Sequence, residues 1–233
     1  MRVLLHRWLC LGLLLLAGRT ALAQHGHLNA GAVGTSQGDA LTWANGSGFA
    51  ESSGYVKSLV YAETGNRAGY YAGSITLTSL PATVANGGPA AGAAALGSFL
   101  QYGIVSVTGP AGGSFGFWEA GATTPTFSYA SGFASASPTL IALSEAGAGV
   151  AGADPFGHLH GRNFTVTQPG EYSVGFQAFD TSTSGTGGAP IHAPSEVLTI
   201  KFSAAAVAVP EPGMLALLGV GVPLLLWGAV RRR

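Results

Sequence analysis

The stretch PGEYSVGFQAFD, Pro169–Asp180, sets the fold class. Tyr172, Val174, Phe176 and Ala178 fall on one side of an extended chain, with Ser173, Gly175 and Gln177 on the other. That period of two is the signature of a half-buried β-strand. The Pro-Gly pair before it predicts a tight turn. Upstream, Phe164–Thr167 reads as the other arm of a hairpin, and Tyr172 is placed to pin the turn with its hydroxyl.

The same pattern extends in both directions. Tyr55–Ala62, Gly69–Leu80, Phe99–Thr108, Ser114–Trp118 and Val197–Phe202 read as strands. In Gly69–Leu80, Ile75 and Leu77 oppose Thr76 and Thr78. In Val197–Phe202, Leu198, Ile200 and Phe202 point inward. Breaks between strands are clusters of Gly, Pro, Asn and Ser. A helical period appears nowhere in the middle of the chain, and the only short helix expected is Pro89–Leu96. Roughly nine strands of this kind predict an all-β, antiparallel β-sandwich over residues 24–209. Its Gly-rich loops (31–38, 84–97, 109–114, 145–154 and 181–190) are candidates for mobility.

Composition narrows the function classes. The chain has 233 residues, of which 37 are Gly and only 9% are charged. Residues 24–209 carry four basic side chains (Lys57, Arg67, Arg162, Lys201) against nine acidic ones, a net of minus five. That mildly acidic surface excludes a nucleic-acid partner. The single cysteine, Cys10, lies near the N-terminus. It leaves no disulfide framework and no Cys nucleophile for the rest of the chain.

The two ends read as targeting signals. Arg2 and Arg7, the apolar run Leu9–Ala17 and the small residues Ala21 and Ala23 form a signal peptide over 1–23, cut by signal peptidase. At the other end Val209, Pro210, Glu211 and Pro212 precede an apolar stretch, 213–230, and Arg231, Arg232 and Arg233. Eighteen helical residues reach about 27 Å, close to the thickness of a bilayer core. The basic tail predicts a cytoplasmic end.

This tripartite end (210–233) resembles the PEP-CTERM sorting signal. The resemblance implies a Gram-negative host, a membrane-anchored intermediate and processing by an exosortase. It further implies release to, or retention at, the cell surface or extracellular matrix. The motif residues are then recognition elements for the processing enzyme.

Five histidines remain after the signal: His25, His27, His158, His160 and His192. Four of them form two His-x-His pairs. Residues i and i+2 of an extended chain share a face, so each pair can offer two imidazoles to one ion. Two pairs supply the four nitrogens of a tetrahedral zinc or copper site. His192 is a fifth candidate ligand, and Asp154 and Glu196 can supply oxygen. The segment Gly157–Asp180 also resembles the His-x-His repeat domain of bacterial surface-anchored proteins. His158, His160, Phe164, Pro169, Gly170, Tyr172 and Val174 match, and the tryptophan of that pattern near Arg162–Phe164 is missing. This resemblance implies a sandwich module and metal binding outside the cytosol.

Catalytic signatures are not found in the context they need: no G-x-S-x-G sits at a strand-to-helix turn, no P-loop or Rossmann fingerprint follows a strand, and no His-E-x-x-His helix occurs. Glu119, beside Phe117 and Trp118, is the best candidate for a sugar-facing acid. The expectation is a non-enzymatic, exported surface or matrix protein with a structural or interaction role. The alternatives are a zinc- or copper-binding module, and a carbohydrate- or ice-binding surface with a surface polysaccharide as partner.

Overall fold

A computed structural model describes residues 26–83, 91–158 and 161–206. The expected signal peptide with Ala21 and Ala23, the expected sorting motif Val209–Pro212, the apolar stretch 213–230, the arginine tail, His25 and His160 lie outside the described residues.

The fold is all-β. In chain order its strands are β1 (His27–Ala32), β2 (Leu41–Trp43), β3 (Val56–Tyr61), β4 (Tyr71–Gly73), β5 (Thr76–Ser79), β6 (Leu100–Thr108) and β7 (Ser114–Trp118). They continue as β8 (Phe127–Ala130), β9 (Phe133–Ala134), β10 (Leu140–Ala142), β11 (Gly157–His158), β12 (Asn163–Val166), β13 (Gly170–Asp180) and β14 (Leu198–Ala204). The described part of the expected helix, residues 91–96, forms turns instead.

One long sheet runs β10-β6-β13-β14-β3-β4-β12-β7-β8, with β9 beside β6. It curls until it nearly closes, because the aromatic residues of its two halves seek the same dry interior. Phe115 of β7 meets Phe202 of β14 at 4.9 Å between ring centroids, and Phe164 of β12 meets Phe176 of β13 at 5.6 Å. All four rings are buried, each worth about 1.5–3 kcal/mol relative to exposure. A smaller sheet, β11-β5-β1-β2, adds Leu28, Ala30, Leu41 and Leu77 to the same core.

Two ladders depart from the antiparallel expectation: β1 pairs β5 in parallel, and β14 pairs β3 in parallel. The stretch read as one strand, Gly69–Leu80, is two. β4 lies in the long sheet and β5 in the small one, with the chain crossing between them at Ser74 and Ile75.

The hairpin expected across Pro169-Gly170 does not form: β12 pairs with β4 and β7 and β13 with β6 and β14, so the chain bends at Pro169 from one part of the long sheet to another. The Tyr172 hydroxyl does pin that bend, donating to the Gln168 carbonyl at 3.1 Å. The ring needs Gly109 and Gly113 beside it, since a Cβ at either would collide with Tyr172. Three of the Gly-rich loops, 31–38, 145–154 and 181–190, are tied to one another by side chains. Gln37 donates to the Pro190 carbonyl and accepts from the Thr186 amide, and Ser184 donates to the Gly149 carbonyl.

Candidate functional site

The small sheet carries the site. In β1, His27 and Asn29 alternate with the buried Leu28 and Ala30. In β5, Thr76 and Thr78 flank the buried Leu77, with Thr76 facing outward and Thr78 largely covered. Register places His27 opposite Thr76, Asn29 opposite Thr78, and Thr78 opposite His158 of β11. His27 and His158 therefore stand on one face, on either side of β5.

Local sequence explains how each histidine arrives there. Gly157 passes so close to the Leu143 carbonyl that a Cβ would collide with it, so only glycine lets the chain enter β11 in this register. On β1, the Asn45 amide clasps the backbone on both sides of Leu28. Its Nδ2 donates to the His27 carbonyl at 2.6 Å, and its Oδ1 accepts the Asn29 amide at 2.8 Å. Thr78 then donates to Asn29 Oδ1 at 2.9 Å, tying β5 to β1 across the same face.

The result is a histidine pair. The rings of His27 and His158 lie 4.7 Å apart between centroids, with planes tilted by 53°. An imidazole ligand places its nitrogen about 2.0–2.1 Å from zinc, so two rings on one tetrahedral ion have centres about 5 Å apart. Both side chains are half-buried, which holds them in place. Among the described residues no group of three or more His, Cys, Asp and Glu gathers into a metal cluster. The partners named by the sequence, His25 and His160, lie outside the described residues.

His192 belongs to a different arrangement, which corrects its reading as a ligand. Its ring is buried, Nδ1 lies 3.0 Å from the Asp39 carbonyl, and Nε2 accepts the Ala95 amide at 3.0 Å. Nδ1 is thus the protonated nitrogen, and neither nitrogen has a lone pair left for a metal. Asp154 is likewise committed. It accepts from the amides of Ala82, Thr83 and Phe156 and from the Thr83 hydroxyl. Burial alone pushes its carboxyl up, but these hydrogen bonds outweigh it and hold the group below the usual carboxylate range. Glu196 lines a separate groove with Trp43 and Leu198. Glu119 is an ion-pair partner of Arg162 Nε at 3.0 Å, and Arg162 also donates to the Ala142 carbonyl.

Sequence reasoning passed over two residues that organise these loops. Asp180 ends β13 as a buried carboxylate and accepts four backbone amides, from Phe99, Ser182, Ile191 and His192. A lone acid closing an apolar alternating run was the available signal. Asn45 gave only a sequon, Asn45-Gly46-Ser47, and its amide nitrogen is the one engaged with His27.

Comparison with protein-family models, with curated proteins and with solved structures gives no match. Fold and site together define an all-β protein with a paired-histidine face.

Proposed function

We propose that this chain is exported, processed at its Pro-Glu-Pro motif by an exosortase, and displayed outside the cytosol as a β-sandwich module. Its role there is structural and interactive, without catalysis, and its interaction chemistry is capture of zinc or copper by the two His-x-His pairs.

The observation that carries the metal reading is the 4.7 Å separation of the His27 and His158 rings, one from each pair. Chance surface histidines have no reason to meet from opposite flanks of a third strand. His25 and His160 enter as the remaining nitrogens on the i, i+2 rule. The export reading rests on the two ends of the sequence.

Thermal melting of the purified chain with zinc, and with copper, tests the proposal. At a free metal concentration a hundred times the dissociation constant, binding stabilises the native state by about 2.7 kcal/mol. For a protein of this size that is about 5–10 °C in Tm. His27→Ala and His158→Ala each abolish most of the shift. No shift with either metal, or a full shift in both variants, refutes the reading. Mass spectrometry of the chain isolated from its host tests export, with mature ends expected near Gln24 and Val209.

A further inference from the structure

A second concave site lies where the long sheet meets the start of the small one. It is a cavity of about 520 Å³, in the range of small-molecule sites, walled by Phe49, Tyr55, Lys57, Ser58, Ser74 and Thr76. The Phe49 and Tyr55 rings pack at 5.1 Å and form its aromatic side. Hydroxyl-bearing residues on its lining are Tyr55, Ser74 and Thr76, and Ser58 brings its backbone carbonyl close to Gly73.

Lys57 is the unusual member. Its stem on β3 crosses Gly73 of β4, where an added Cβ would come within 3.3 Å of Lys57 Cε and within 2.8 Å of the Leu59 side chain. Glycine at position 73 is what gives the lysine its seat. Among the described residues Lys57 makes no ion pair, whereas Arg162 and Lys201 both do. No carboxylate lines the cavity. Partial burial, with nothing negative nearby, lowers the pKa of this amine. A half-buried cation of this kind, with no carboxylate beside it in the cavity, is complementary to an anionic ligand.

We propose that this cavity binds a sugar acid, with the carboxylate on Lys57 Nζ, the sugar hydroxyls on the Tyr55, Ser74 and Thr76 hydroxyls, and a C–H face against Tyr55. An aromatic side, several neutral hydroxyls and one ammonium match the three surfaces of a uronic acid. A neutral sugar would leave the ammonium unanswered, and a simple carboxylate would leave the ring and hydroxyls unused. The proposal does not rest on the metal reading, since no histidine lines the cavity.

Isothermal titration of the purified chain with D-glucuronate, D-glucose and acetate tests it. Glucuronate is expected to bind saturably, and glucose and acetate at least tenfold more weakly. Lys57→Met weakens glucuronate at least tenfold, and Tyr55→Phe weakens it severalfold. The proposal is overturned by an absence of saturable glucuronate binding, or by glucose or acetate binding as tightly. It is equally overturned if Lys57→Met, folded by its melting curve, binds as the parent does. Should that variant fail to fold, unchanged binding by Tyr55→Phe has the same force.

Discussion

Asp180 Oδ2 accepts the backbone amide of His192 at 3.1 Å, and so turns the His192 ring toward the Asp39 carbonyl and the Ala95 amide. One buried carboxylate thereby fixes three chain segments at the end of the fold, around Phe99, Ser182 and Ile191. Removing it strands four buried or half-buried N–H groups, each costing about 1 kcal/mol or more. Asp180→Ala is expected to lose about 3–5 kcal/mol of unfolding free energy in urea. A loss below about 1 kcal/mol would mean that water replaces the carboxylate at no cost.

His192 separates structure from metal binding. His192→Phe leaves the Ala95 amide unanswered, while the Asp39 carbonyl keeps the Ala193 amide. The expected loss is about 2 kcal/mol of stability, with the zinc- or copper-induced rise in Tm unchanged. A variant that folds normally and loses the metal response would return His192 to the ligand set.

Tyr172 and Gly113 should be energetically coupled. Tyr172→Phe gives up the bond to the Gln168 carbonyl, about 1 kcal/mol. Gly113→Ala alone costs more, because its Cβ would press on the Tyr172 hydroxyl. With phenylalanine at 172 that collision is relieved, so the double variant is more stable than the sum of the single losses implies. Additive losses in a double-mutant cycle would show that the contact carries no strain.

Asp154 gives a pH dependence with a definite sign. Its folded pKa lies below the unfolded value of about 3.9, so its contribution is complete above that value and is lost as the pH falls through the folded one. The amides of Ala82, Thr83 and Phe156 are expected to lose hydrogen-exchange protection on acidification before the β13–β14 ladder does. Asp154→Asn weakens that protection at neutral pH and flattens the acid limb. An acid limb identical in the variant would assign the effect to other carboxylates.

Much of the fold is legible residue by residue. The alternation of Tyr172, Val174, Phe176 and Ala178, the bend at Pro169 and the tyrosine that pins it are local properties of one segment, whereas the pairing of β12 with β4 and β7 instead of with β13 is not. Each follows from side-chain size and backbone geometry within a few residues. The His-x-His spacing is equally local. The split of Gly69–Leu80 is not, because its period of two continues through Ser74 and Ile75 while its hydrogen-bond partners change sheets.

By itself, then, the sequence determined that the chain is β throughout its middle, which side chains face inward, and that its ends read as addresses. Only the tertiary structure decided which strands are neighbours: β1 beside β5 in parallel, β11 across from it, and hence His27 against His158. It also decided that His192 and Asp154 are consumed by backbone groups. The physical reason is range. Periodicity reports what one strand does with its own two faces, whereas pairing and register are set by segments far apart in the chain competing for the same hydrogen bonds and the same core.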